Sequence, residues 1–528
     1  MTTTMLYTGI SKPWPITNRL ATHWKLSPHE YGYGCVARVD SGAVNSVAST
    51  RAAYVLSVGL SLCASRAAGM APEEPASAAL ASMVPFEAAP GVNSGPVTDS
   101  KRGPEPHLQD RELAPAAGEG SDIIGDSHLD LLFRNYAAYF KVDNVGVRQA
   151  WIQAMRAEYS SGFTSGAFGV GLDAALFTAL KLDGGNGAGN MVHIGPHGGG
   201  QDQKAWAYLG GYVVKARSAD TVVKFGLQAM SNPFLEPNDI RALPPSYRGI
   251  SMVSKVSDGV MLDMGSVDAI VERGSTYLRP LRTAYGSTQF DRLSYLGGKL
   301  EYPDGGKILL YASQASAVWN QYYASGERSV GVADRLKWKG KASIYRTRDQ
   351  GASIQGGINN TAFSLALSAE HGASTLMISY QRMVGEQFMD FIKETDGIFL
   401  SNAIAVDYNA PHEQSLQLAY TWSGKASNFP GLGIKVWGVT GWGADATTEA
   451  DKHSALSDSL HTLYWMNGKP VQGSHHEFGL KQSYVVQQGI LKNSKISLIM
   501  SLHMSTQNYP DRGFRTYWMM YNVPVKGF

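Results

Sequence analysis

Cysteine is nearly absent from this chain. Cys35 and Cys63 are the only two, and both precede the stretch that carries the repeating pattern, so neither a disulfide framework nor a cysteine metal site is available there. Charge of one sign is missing too: 46 Lys and Arg face 44 Asp and Glu, and a formal charge of +2 argues against nucleic acid as a partner. No uninterrupted apolar run reaches about 18 residues, which counts against membrane-spanning helices. What the 528 residues have in quantity is glycine (58) and aromatics (26 Tyr, 17 Phe, 11 Trp), with only 17 % charged residues. Glycine and aromatics spread over roughly 400 residues in short alternating runs are the composition of a transmembrane β-barrel.

The first 43 residues show no periodicity and are assigned no fold. Arg51 then precedes the apolar stretch 52–62, and small residues follow at Ala67, Ala68, Gly69 and Ala71, the pattern of a secretory signal peptide over residues 44–71. Export machinery reads such a signal at an N-terminus. The sequence therefore suggests a start at a valine codon, Val44 or Val47, with residues 1–43 untranslated; recovery of a peptide from residues 1–40 of the precursor would contradict this. The plainer alternative is a short apolar segment of a soluble core. Residues 72–125, rich in Pro, Ala, Gly and Glu, have the composition of a flexible linker.

From 126 to 528, apolar and polar residues alternate in short runs broken by Gly, Asn, Asp and Pro. In a barrel wall one parity faces lipid and must be apolar, while the other faces the lumen and can be polar. Trp206, Tyr208, Tyr212, Val214 and Ala216 share one parity, with Lys215 and Arg217 on the other. Val223, Phe225 and Leu227 alternate with Lys224, Gly226 and Gln228, and Leu416, Leu418 and Tyr420 with Gln417, Ala419 and Thr421. Ile496, Leu498, Met500 and Leu502 alternate with Ser497, Ser501 and His503, and Tyr517, Met519, Tyr521, Val523 and Val525 share a face. A soluble β-sandwich also alternates, but it does not need roughly 400 residues of it, nor aromatics near so many segment ends. The expected fold is all-β: a transmembrane antiparallel β-barrel over 126–528, ending on the aromatic Phe528.

An ordered series of short stretches then resembles the OprD family of outer-membrane porins. They are Leu129–Tyr136, Tyr159–Gly166, Ala179–Gly184, Arg241–Pro244, Ile344–Thr347, Asn359–Thr361, Phe429–Leu432, His475–Glu477 and Tyr484–Gln487. The resemblance implies 18 strands, a monomer or loose trimer, inward-folded loops that narrow the bore, and a basic track on the wall that guides carboxylate-bearing solutes. Arg134, Lys215, Arg217 and Lys224 are similar to basic residues of the family's early strands, and alternation also turns the last three toward the lumen. The loop from Ser231 to Pro245, stiffened by its prolines, resembles the constricting loop and would place Arg241 near the eyelet. Later strands depart from the pattern. Ala419 and Trp437 stand where arginines are expected, Leu498 to Ser505 has no Lys or Arg, and Gly357 stands where an acid is expected.

One run compensates for these losses. Lys337, Lys339 and Lys341 share a parity, with Trp338 on the other, so the lumen would carry a ladder of positive charge that concentrates anions. A solvated lysine run at a strand end is the bland alternative. His197–Gly200 has the composition of an esterase oxyanion loop, but no G-x-S-x-G elbow accompanies it, and the stretch 184–200 is expected to be a long turn. His475-His476-Glu477 lacks the second histidine of a zinc-protease helix. Neither catalysis, a cofactor nor a metal is expected, and a barrel hydrolase and a non-conducting structural barrel are the rivals. The expectation is an outer-membrane channel for passive uptake of small anionic or carboxylate-bearing solutes, with outer-membrane lipids and the barrel assembly machinery as further partners.

Overall fold

The computed structural model describes residues 122–182 and 204–528, apart from 145, 333, 334 and 397. The expected signal peptide, the linker up to residue 121 and the His197–Gly200 stretch lie outside the described residues. Eighteen strands, numbered here in chain order, build the wall. They are β1 His128–Val142, β2 Gly146–Ser160, β3 Phe168–Lys181, β4 Ala205–Ser218, β5 Thr221–Gln228 and β6 Ser246–Ser257. Next come β7 Val260–Val271, β8 Leu293–Glu301, β9 Lys307–Ala315, β10 Trp319–Val332, β11 Leu336–Asp349 and β12 Asn359–His371. The wall ends with β13 Ser374–Val384, β14 Gln414–Ser423, β15 Leu432–Asp445, β16 Gln472–Val485, β17 Lys495–Ser505 and β18 Phe514–Lys526. Each strand pairs antiparallel with the next, and β18 pairs with β1 from Val142↔Phe514 to Asp130↔Lys526. Closure leaves no sheet edge exposed, which a wall in hydrocarbon requires because nothing there can satisfy unpaired N–H and C=O groups. Among the described residues no helix is long and apolar enough to cross a membrane; strands do the crossing.

The connections differ at the two ends. One end, which also carries both ends of the wall, has tight turns such as 219–220, 258–259 and 372–373. Gly259 and Gly372 take φ of +78° and +57° there, the left-handed backbone that two-residue hairpins require. The other end carries 229–245, 272–292, 385–413 and 446–471. Leu310, Leu365, Leu367, Ile378, Leu418 and Phe478 are exposed on the outer face, the arrangement of a wall solvated by hydrocarbon.

The parity expected for β4 holds over only half the strand. A register shift between Ala175 and Leu176 of β3 sets Leu209 and Gly211 of β4 against them and leaves Gly210 bulged. A bulge inserts one residue, so the faces exchange beyond it. Tyr212 and Val214 point outward as expected, but Trp206 and Tyr208 lie on the same side as Lys215 and Arg217, and Trp206 is buried in the lumen. Gly210 suits the bulge because a Cβ there would meet the Phe177 ring at 2.2 Å.

Three of the long loops fold into the bore. Loop 229–245 lays Met230, Phe234 and Leu235 against the wall residues Tyr247, Tyr295 and Tyr345, while its other end sets Ala242 and Leu243 against Tyr136, Ile152 and Phe177 on the opposite strands. Loop 385–413 buries Met389, Phe391, Ile392 and Leu400 in the first of these clusters. A short hairpin in loop 272–292, Arg279–Arg282 with Gln289–Phe290, joins them through a Thr283↔Ile392 bridge.

Candidate functional site

The lumen is narrowed where loops 229–245 and 385–413 meet. Pro237 bridges Thr395, and the Asp396 amide donates to the Glu236 carbonyl at 2.8 Å. Tyr345 of β11 ties both loops to the wall: its hydroxyl donates to the Pro233 carbonyl at 3.0 Å and accepts from the Phe399 amide at 3.1 Å. Asp390 fastens the third loop by accepting from the Tyr285 and Gly286 amides, each at 2.9 Å. These bonds use otherwise orphaned backbone and side-chain groups, so the three loops become one constriction.

Arg134 anchors that constriction to β1. Its guanidinium holds the Asp239 carboxylate with Nη2–Oδ2 at 2.9 Å, donates to the Arg241 carbonyl at 2.9 Å, and reaches Asn522 Oδ1 of β18 at 2.8 Å. Arg156 of β2 adds a contact to Asp239 at 3.3 Å. Confinement among protein atoms pushes the Asp239 carboxyl up, but Arg134, Arg156 and Arg273 outweigh it and hold the group below its ordinary value. Arg134 is 3 % exposed, so much of its charge is spent on positioning the loop. Arg241 itself lies on the loop, close enough to Tyr136 and Glu394 to act on both electrostatically. On the other inward loop Glu394 takes Arg273 at 2.5 Å; burial pushes its carboxyl up, yet Arg273 and Arg241 bring it down to about 2.

The other sequence candidates lie nearer the short-turn end. Lys215 and Lys224 both approach Asp173 of β3, at 2.6 and 3.5 Å, and Lys215 also donates to Ser160 Oγ. Arg217 stands over the Phe163 ring, 4.6 Å from its centroid. On β11 the lysines alternate with outward Trp338: Lys337, Lys339 and Lys341 are half-buried on the same side as Ser343, Tyr345 and Thr347. Lys339 pairs with Glu327 of β10 at 2.6 Å, whereas Lys337 and Lys341 have no ion-pair partner among the described residues. Lys339, Lys341 and Lys435 converge on a small pocket with Gln417, Ser368 and Ser401, under the Leu400–Ile404 segment of the inward loop.

Sequence reasoning missed Arg156, Arg273, Lys435 and all of the partner carboxylates. Arg156 follows Ile152 and Ala154 on the lumen side of β2, where loop 229–245 covers the wall and removes the polar signal. The 29 residues of 385–413 contain Phe388, Met389, Phe391, Ile392, Phe399 and Leu400, an apolar density that a surface loop would not carry, and this was the available sign that it turns inward. His475 and Glu477 start β16 and face inward, His476 outward. No group of three His, Cys, Asp or Glu that could hold a metal occurs among the described residues.

Because so many lumen cations are paired, removing an anion should have a larger effect than its exposure suggests. Asp173→Asn together with Glu327→Gln removes the Asp173 carboxylate from Lys215 and Lys224 and the Glu327 carboxylate from Lys339. The reversal potential in a salt gradient is expected to move toward anions, changing the permeability ratio roughly two- to threefold and more at low ionic strength. An unmoved potential in a folded barrel would mean these lysines do not act on the permeating ions.

A closed eighteen-stranded wall with an apolar exterior, tight turns at one end and loops folded across the bore from the other defines an outer-membrane porin. The family model described as "outer membrane porin, OprD family" matches residues 121–526, and the chain belongs to that family. Porin D of Pseudomonas aeruginosa is 28 % identical over 428 residues, covering 77 % of this chain and 92 % of that protein. Porin-like protein GalP of Pseudomonas putida is 24 % identical over 355 residues, covering 65 % and 84 %. Among solved structures, Pseudomonas aeruginosa OccD3 (OpdP) superposes with a TM-score of 0.69 at 31 % identity, covering 78 % of this chain and 94 % of its own. The protein is located in the bacterial outer membrane. By the rule for such barrels the tight turns face the periplasm and the long loops the exterior.

Proposed function

We propose that the channel selects small anionic solutes, carboxylates foremost, for passive entry. The reading is supported above all by Lys339, Lys341 and Lys435, which line one small pocket with Gln417, Ser368 and Ser401 just periplasmic of the constriction. Two hydroxyls, one amide and three cations match the hydrogen-bonding demands of a carboxylate that has shed part of its water. Nearer the constriction, Arg241 supplies positive charge at the meeting of the loops, and Arg217 and the Lys215–Lys224 pair continue it down the wall. The paired carboxylates moderate this potential, which suits a channel whose solutes must leave as well as enter. Transport by this means needs no bond-making group, in keeping with relatives that are porins rather than enzymes.

The test is the variant carrying Lys339→Gln, Lys341→Gln and Lys435→Gln. The reversal potential is expected to shift toward cations, and uptake of a small carboxylate into liposomes to fall several-fold relative to a neutral solute of equal size, with the heat-modifiable folded band intact. Equal loss of both solutes would reject charge selection and leave a size filter.

A further inference from the structure

Several lumen cations of this wall have carboxylate partners, as do Arg248 and Arg328 on its outer face, but three outer arginines gathered at one place do not. Inside, Arg134 and Arg156 share Asp239, Lys215 and Lys224 share Asp173, Lys339 has Glu327 and Arg273 has Glu394. Outside, Arg346 and Arg348 of β11 and Arg382 of β13 stand on the outward parity at the extracellular ends of their strands. Arg348 and Arg382 are exposed and have neither a hydrogen bond nor an ion pair among the described residues. Arg346 donates only to neutral acceptors: the Asn360 carbonyl and Thr361 Oγ1, each at 3.1 Å, and Asn359 Oδ1. Three guanidinium charges thus lie together with no described carboxylate paired to any of them.

Their depth is set by the register. Ile344 of β11 pairs with Phe363 of β12, and Phe363 with Arg382, so Arg382 begins the polar rim one step below Arg346. At this level the outer face also carries Tyr322, paired with Arg346, and Ile344 and Phe363, level with Arg382, with Tyr380 one step deeper, so the arginines stand among the aromatic residues at the top of the apolar band. Arg346 and Arg348 are about 7 Å apart along their strand, and Arg382, two strand spacings across and two residues lower, lies about 12 Å from Arg346, a separation that long flexible side chains can close. Charges at this level meet lipid headgroups.

Directly below Arg346 the outer wall is hollowed. An open groove of about 500 Å³ runs over Ala312 and Ala324, between Leu296, Leu310, Tyr322 and Ile344, with Arg346 at its rim. A second apolar hollow, over Gly326, Gly340 and Ala342 and beside Leu365 and Leu367, lies on the neighbouring wall; a Cβ at Gly326 or Gly340 would meet no atom within 4 Å.

We propose that this face docks a phosphorylated lipid of the outer leaflet, its phosphates on Arg346, Arg348 and Arg382 and an acyl chain in the groove. Guanidinium groups match phosphate oxygens with paired N–H donors and are strengthened at the edge of a low-dielectric layer. Charge complementarity commits the occupant to an anion, and the groove that begins at Arg346 commits the anion to a lipid.

The full chain, purified in a neutral detergent, would be titrated with a bis-phosphorylated acylated glucosamine disaccharide and, separately, with its dephosphorylated form and with phosphatidylcholine. Lipid retained on the folded barrel would be read by native mass spectrometry. Retention of the phosphorylated lipid alone is expected. Arg348→Gln with Arg382→Gln should weaken it on the order of tenfold, and Ala324→Trp, which fills the groove, should weaken it as well. Single-channel conductance and the heat-modifiable band should not change in either variant. Equal retention of the dephosphorylated lipid, or unaltered binding in the arginine variant, would overturn the proposal. Displacement by inorganic phosphate at concentrations comparable to the lipid's would overturn it too, by reducing the site to a bare anion contact.

Discussion

Removing residues 232–242 is expected to raise single-channel conductance roughly two- to fivefold, because a segment that crosses the bore from the Tyr345 side to the Tyr136 side sets the free cross-section. The point variant Arg134→Gln separates constriction from folding. It removes the bidentate hold on Asp239 and the bond to the Arg241 carbonyl but leaves the loop's apolar ends seated. A cost of about 2–4 kcal/mol in loop anchoring is expected, near the lower part of the range for a buried pair because a third of Asp239 faces water. The measurement is the open-channel current and its noise: brief high-conductance excursions should appear, and Asp239→Asn should produce them as well. The anchor depends on an ionised carboxylate with a depressed pKa. Its contribution is present above the ordinary Asp value and lost as pH falls through the lower value in the folded chain, so acidification should mimic the variants. Quiet, unchanged current in all three would show that the loop is held by packing alone.

The second large effect is expected at Glu413, where the inward loop 385–413 returns to the wall. Glu413 is fully buried, accepts from the Ala410 amide at 3.0 Å and from the Tyr509 hydroxyl at 3.0 Å, and faces His475 Nε2 at 2.7 Å. His475 Nδ1 meets His503 Nε2 at 2.8 Å, and His503 Nδ1 lies 3.0 Å from the Arg512 carbonyl. A carbonyl can only accept, so His503 donates from Nδ1. A neutral His503 then accepts at Nε2, His475 donates from Nδ1, and a single proton is shared between His475 Nε2 and Glu413. Burial pushes the Glu413 carboxyl up to about 8, against the bonds from Ala410 and Tyr509, which agrees with that proton residing in the pair.

The sign of the pH effect follows. A carboxyl whose folded pKa is raised from 4.5 to about 8 stabilises the fold fully at pH values below 4.5 and progressively less as pH rises through 8. Loop opening, read as gating noise, should therefore increase from mildly acidic to alkaline pH, opposite in sign to the Asp239 effect and in a different window. Glu413→Gln keeps an acceptor for Ala410 and Tyr509 and an N–H for His475, so it should flatten the pH dependence at little cost. Glu413→Ala leaves three buried partners, the Ala410 amide, the Tyr509 hydroxyl and His475 Nε2, unsatisfied and should cost roughly 3–9 kcal/mol, seen as a lower unfolding temperature of the extracellular loops. A pH dependence that survives Glu413→Gln would assign the titration to another group.

Period-two alternation of apolar and polar residues was legible in the sequence because lipid imposes it: outward positions within the hydrocarbon band must be apolar, whatever the loops do. That is why alternation by itself puts Phe225, Leu418 and Met500 on the outer face and turns Lys215, Lys224 and the Lys337–Lys341 ladder inward. The signal fails where its cause fails. At Gly210 an inserted residue exchanges the faces, and no residue type announces the shift to Trp206 and Tyr208. On β2 the lumen is lined by packed loop rather than water, so Ile152 and Ala154 are apolar on both counts and Arg156 goes unnoticed. Membership of the wall and the sign of its inward residues are local properties, decided residue by residue by the solvent each face meets. The pairing of Arg134 with Asp239, 105 positions away, of Arg273 with Glu394, and of Glu413 with His475 is different in kind. Those contacts depend on where two long loops come to rest inside a closed barrel, and only closure brings such distant segments within hydrogen-bonding reach.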